Sequence, residues 1–123
     1  MAANKVFLNS DDIIEIHVVG AQTQVSVQAM GVELQALLDK LRAQNKPLLV
    51  LDNLMEMGHT DTPARQTVSE LARNLQYDKV AMLGPNKPLM VHGTQLLLQA
   101  IGMGRKIKYF VDLDAANAWL KKR

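Results

Sequence analysis

Two short stretches of this 123-residue chain, Leu48-Leu49-Val50-Leu51 and Val80-Ala81-Met82-Leu83, are apolar at every position. A strand with one wet face alternates apolar and polar residues, so an unbroken apolar run of this length suits a strand covered on both faces. Each run is followed by a segment of helical period. After the first, Val68, Leu71, Ala72 and Leu75 recur in steps of three and four; after the second, Leu89 to Ile101 is apolar around much of its circumference. A strand, a crossing helix and a second covered strand make a parallel pair, with a right-handed connection.

The flanking segments extend the pattern. Val6–Leu8 is a short apolar run, Asn9-Ser10-Asp11-Asp12 is a cluster of turn formers, and Ile13, Ile14, Ile16, Val18 and Val19 form a β-branched strand ending at Gly20. So short a connection predicts an antiparallel hairpin. Val27, Met30, Leu34, Leu37, Leu38 and Leu41 then share one helical face, with Thr23 as cap and Lys46-Pro47 beyond the end. Gly31 inside this helix costs about 1 kcal/mol relative to alanine, which close packing would explain. Gly102 is placed to stop the third helix, Ile107–Val111 reads as the last strand, and Asp112 or Asp114 caps a final helix whose Ala116, Trp119 and Leu120 face inward. The order is β-β-α-β-α-β-α-β-α. It predicts a single α/β domain over residues 1–123: a mixed five-stranded sheet with parallel central strands and the first strand as an antiparallel edge.

Composition removes several classes of function. There is no cysteine, which excludes disulfides, thiolate metal sites and cysteine nucleophiles. His17, His59 and His92 are not spaced as metal ligands, so no metal is expected. Net charge is +2, the basic residues gather at Arg105, Lys106, Lys108 and Lys121-Lys122-Arg123, and aromatics are 4%. A nucleic-acid interface would show a broader basic stripe with stacking aromatics, so none is expected. No window approaches the ~20 apolar residues of a membrane span, and no signal-peptide core precedes Asn9. A soluble, cytoplasmic protein is expected. Nucleophile-elbow, phosphate-loop and dinucleotide motifs are absent, which leaves no catalytic residue and no cofactor to name.

What remains is Leu54-Met55-Glu56-Met57-Gly58-His59-Thr60, read as a loop at the carboxyl end of the Leu48–Leu51 strand, where open α/β sheets meet their ligands. Leu54, Met55 and Met57 are large apolar residues in an irregular segment, and thioethers adapt to varied apolar surfaces. If the loop is locally extended, Met55 and Met57 share one side; the plainer alternative is that they cover the edge of the core. Leu89 and Met90, opening the third helix, would join Leu54, Met55, Met57 and His59 in a surface for a partner, a second subunit or a small apolar ligand.

In element order, in the Leu48–Asp52 strand and long segment entering a helix, in Lys79–Leu83 leading through Gly84-Pro85, and in Tyr109-Phe110 ahead of Ala115-Ala116-Asn117-Ala118-Trp119-Leu120, the chain resembles a STAS domain. More closely it resembles the SpoIIAA-like branch, small bacterial proteins grouped with the STAS and CRAL-TRIO lipid-binding domains. The resemblance covers about Val6 to Leu120. It implies a non-enzymatic regulatory module that binds a protein partner, such as an anti-sigma-type kinase, through the segment after the third strand. The alternative, carried by the same methionines and the Leu89–Ile101 helix, is a carrier or sensor of a small apolar or lipid-like ligand between that segment and the third helix. In the anti-sigma-factor antagonists a serine of an Asp-Ser-Ser or Asp-Ser-Gly turn is phosphorylated, and Asp61-Thr62-Pro63 stands at about that place. Thr62, or Thr60 beside it, would then be the acceptor. Thr62 before Pro63 is also a natural helix N-cap, which gives it a structural role instead.

Overall fold

The structure is a computed structural model and describes residues 3–100 and 102–122. Nine elements follow in the expected order: β1 Lys5–Leu8, β2 Ile14–Gln22, α1 Gln24–Ala43, β3 Leu49–Thr60, α2 Thr62–Asn74, β4 Lys79–Leu83, α3 Pro88–Ala100, β5 Ile107–Phe110 and α4 Leu113–Lys121. They build one five-stranded sheet in the order β1-β2-β3-β4-β5. β1 pairs antiparallel with β2, and every other neighbouring pair is parallel. Ile101, expected as the last residue of the third helix, lies outside the described residues.

Because the strands follow one another in space as they do in sequence, right-handed crossovers put α1, α2 and α3 on the same face of the sheet. The period-two alternation of the strands divides the core accordingly. Ile14, Ile16, Val18, Val50, Leu54 and Ile107 point to the face covered by α1, α2 and α3, where Leu38, Leu41 and Leu98 meet them. Leu51, Ala81 and Leu83 point the other way, where α4 supplies Ala116 and Leu120. The two all-apolar runs are therefore strands covered on both faces, as their composition requires.

Local chemistry sets the element ends. Thr23 Oγ1 accepts from Ser26 N–H, and Ser26 Oγ accepts from Thr23 N–H, a reciprocal capping box on α1. Asp112 caps α4 by accepting from Ala115 N–H at 3.1 Å. At the carboxyl end of α3, Gly102 takes φ +78°, and Met103 N–H donates to Leu98 O at 2.8 Å, the left-handed stop that glycine allows.

α3 is tied to the sheet at its far edge, where Gln95 Oε1 accepts from Tyr109 N–H of β5 at 2.7 Å. The Tyr109 hydroxyl donates to Pro85 O at 2.9 Å and so holds the turn that leads into α3.

Candidate functional site

The segment Leu54–Thr60 is not a loop. It continues β3, paired with β2 through Val19–Glu56, Gly20–Met57 and Gln22–Thr60. β2 likewise runs past Gly20 to Gln22. Two register shifts, between His17 and Val19 and between Gly20 and Gln22, each set three residues of β3 against two of β2. A bulge of this kind inserts one residue and resets the side-chain alternation. Leu54, Met57 and Thr60, three apart, consequently border the same space, whereas a regular strand would send neighbours three apart to opposite faces.

That space is a cavity of about 440 Å³ between the sheet and α1, α2 and α3. Its floor is Ile16 and Val18 of β2, Val50, Leu54 and Met57 of β3, Val80 and Met82 of β4 and Ile107 of β5. Its walls are mostly apolar too: Val27, Met30 and Leu34 from α1, Leu71, Ala72 and Leu75 from α2, Leu97 and Leu98 from α3. Among its lining residues Arg65, Val68 and Ser69 of α2 and Leu97 of α3 are exposed, which places the mouth between these two helices. Val68, expected on the inner face of α2, is 47% exposed for this reason. The cavity is long: it reaches from Val50 to Thr60 along β3, opposite Ile14 to Gln22 of β2, roughly 26 Å at about 3.3 Å per residue.

Polar groups in this apolar space are few and informative. Gln22 is buried but satisfied, its amide donating to Asn4 Oδ1 and to the carbonyls of Val19 and Gly20. Asp52 is different. It lies in the middle of the central strand, in register with Ile16 and Met82, and its Oδ1 is shut from solvent with no hydrogen-bond partner. Desolvation raises its carboxyl to about 7, since nothing compensates the buried charge. The Thr60 hydroxyl is also buried without a partner, near the mouth, where Arg65 Nε donates to Thr60 O at 2.9 Å. Arg65 and Asp52 are the charged residues that line the cavity.

The structure separates the residues singled out from the sequence. Leu54 and Met57 line the cavity; Met55 is 52% exposed and does not. Leu89 and Met90 are exposed at the start of α3, Leu89 at 90%, and neither reaches the cavity. His59 is exposed and makes no described contact with the cavity. Thr62 is not the N-cap of α2. Asp61 is, accepting from Ala64 N–H at 2.9 Å, with Thr62 and Pro63 inside the first turn. Pro63 occupies a first-turn position, where its missing N–H costs nothing, so the cap falls one residue earlier than proline at the first position would put it. Thr62 is left exposed, while the Thr60 hydroxyl is turned inward. Asp52 was the residue missed. Its signal was a lone carboxylate in phase with Val50 and Leu54, where a covered strand has no place for one.

Among the described residues no cluster of three or more His, Cys, Asp or Glu could hold a metal, and no helix is long and apolar enough to cross a membrane. A second hollow, along the outer face of α2 from Thr62 to Arg73, is formed by one helix alone and is a surface furrow.

Comparison with known proteins places this architecture. The sequence matches the SpoIIAA-like family over residues 13–121. No curated protein matches it. Among solved structures it is similar to an uncharacterized protein of the DUF3478 family with a SpoIIAA-like fold from Shewanella loihica PV-4, at 20% identity and TM-score 0.70, covering 96% of this chain and 92% of that one. It is also similar to the anti-sigma factor antagonist SpoIIAA in its unphosphorylated form, at 11% identity and TM-score 0.61, covering 98% and 100%.

Proposed function

Because this chain belongs to the SpoIIAA-like family, we propose that it is a non-enzymatic regulatory module whose signal is an elongated, lipid-like molecule held between the sheet and α1, α2 and α3. The observation that carries this is the cavity of about 440 Å³ with its nearly continuous apolar lining. Apolar surface left to water is unfavourable by about 25 cal/mol per Å², so a guest that covers this lining is held by it, and the mouth between α2 and α3 gives that guest a way in.

Native mass spectrometry of freshly purified protein, before and after denaturing extraction, tests this. A co-purifying adduct released by denaturation is expected. A homogeneous bare mass, with no thermal stabilisation by any C12 to C18 amphiphile, would overturn it.

A second reading rests on a different observation. β4 ends opposite Asn53, so Leu54–Thr60 has a strand partner on the β2 side alone, and exposed Met55 lies on this overhang. An uncovered strand edge is a site for a partner's strand. In this reading a regulatory protein docks there, and phosphate on exposed Thr62, at the amino end of α2, repels or recruits it. Pull-downs with wild type and Met55→Asp that recover the same partners would dismiss the docking site. Absence of phosphothreonine 62 from cells under stress and starvation would dismiss the switch.

A further inference from the structure

Most polar groups buried near the cavity have partners within the protein: Gln22 is bonded to Asn4 and to backbone, and the Tyr77 hydroxyl donates to Ala72 O. Asp52 Oδ1 has none. Its neighbours across the sheet, Ile16 and Met82, and its neighbours along the strand on the same face, Val50 and Leu54, are all apolar and all line the cavity. The carboxylate therefore stands in the middle of a hydrocarbon floor. An unmet acceptor in such surroundings is unfavourable unless something outside the protein completes it.

Resting on the ligand reading above, we propose that Asp52 is the specificity residue of the cavity, and that its guest is a long apolar chain bearing an uncharged hydrogen-bond donor, such as a hydroxyl, which bonds to the Asp52 carboxyl group. Oδ1 accepts a hydrogen bond whether the carboxyl is ionised or not. With Asp52 ionised, a carboxylate or phosphate at this point would set a second anion beside it in a region of low dielectric, so fatty-acid headgroups are disfavoured there. Thr60 Oγ1, the other unpartnered buried atom, lies six β2 residues farther along the sheet, roughly 20 Å at about 3.3 Å per residue. Between them the floor is Leu54, Met57 and Val18, so the chain runs over apolar side chains from Asp52 toward the mouth.

The test is competition among guests of equal chain length. Dodecane, dodecanol and dodecanoate are offered to the delipidated 123-residue chain, and occupancy is read by native mass spectrometry. At pH 8, where the Asp52 carboxyl is ionised, wild type is expected to prefer dodecanol over both others by about tenfold or more, the range of a hydrogen bond to a buried charged group. Asp52→Leu is expected to lose that preference while still taking dodecane. Asp52→Asn, which preserves shape and keeps an acceptor, covers the case in which the leucine variant does not fold, and is expected to reduce the preference without abolishing uptake. Equal uptake of all three guests by wild type, or an undiminished alcohol preference in the variants, overturns the role of Asp52 and leaves the ligand reading standing. Failure of wild type to take any of them overturns the ligand reading itself.

Discussion

Leu71 of α2 lies so close over Gly31 of α1 that a Cβ on that glycine would stand 2.9 Å from the leucine Cδ2. Leu71 also lines the cavity, so one side chain belongs both to the contact between these two helices and to the space beneath them.

Gly31→Ala should uncouple stability from capacity. Alanine gains about 1 kcal/mol of helix propensity over glycine, and the atom it meets is the movable end of a side chain. The net change in unfolding free energy is expected to stay within about 1 kcal/mol by that balance. Leu71, pushed aside, takes up space that a guest would use. Urea denaturation and native mass spectrometry on the same sample check the two halves; a large loss of stability with normal ligand uptake would contradict this.

Asp52 should give the unliganded protein an inverted pH dependence. Its carboxyl is at about 7 when folded against 3.8 for a solvated aspartate, so the folded state holds the proton more tightly. Where the folded state binds more protons, stability falls as pH rises. The contribution is therefore full below about pH 4 and is lost progressively up to about pH 7, by as much as roughly 4 kcal/mol at about 1.4 kcal/mol per unit. Asp52→Asn should flatten that slope and leave the variant more stable than wild type at pH 8. Melting temperatures of both proteins between pH 5 and 8 decide it; parallel curves would show that Asp52 is not the titrating group.

The cap of α2 can be located by a pair of substitutions. Asp61→Ala removes the acceptor for Ala64 N–H and should cost about 1 kcal/mol, within the range of roughly 0.5–2 for such caps. Thr62→Ala, at an exposed first-turn position, should change stability by less than about 0.5 kcal/mol. The reverse ranking in chemical denaturation would return the capping role to Thr62.

Gly58 sits where β3 crosses the second bulge, and a Cβ there would lie 3.0 Å from Gly20 C and 3.1 Å from Ala21 N. These are backbone atoms and cannot swing away. Gly58→Ala should cost about 1–3 kcal/mol, as overpacking does. Gly93→Ala on α3, where a Cβ meets nothing within 4 Å, should be neutral or gain up to about 1 kcal/mol and serves as the control.

Element order, strand direction and three of the helix ends were legible because they rest on local chemistry. Unbroken apolar runs demand two covers, Thr23 and Asp112 offer oxygens to free N–H groups, and Gly102 accepts a positive φ. The Leu54–Thr60 strand was not legible. Its two bulges turn the inward positions into a step of three, which matches neither strand nor helix period, and Glu56, Gly58 and His59 dilute its apolar content. The candidate site was half legible for a related reason. Its location at the end of β3 follows from topology, but the cavity depends on how far α2 and α3 stand from the sheet. That distance is set by contacts such as Leu71 on Gly31 and Tyr109 on Gln95, between residues remote in sequence. Asp52 follows the apolar run Leu48–Leu51 directly, and with the strand's continuation hidden nothing in the sequence marks it as an interior position.

Trp119 is the single tryptophan of the chain, and it packs on the α4 side of the sheet, 5.5 Å from the Phe110 ring and beneath the ammonium groups of Lys79 and Lys108. The five strands stand between it and the cavity. Intrinsic fluorescence will therefore act as a faithful thermometer of global unfolding and a blind eye to cargo. A flat emission titration would say nothing against occupancy, and a tryptophan installed at Leu97 would be needed to watch the pocket fill.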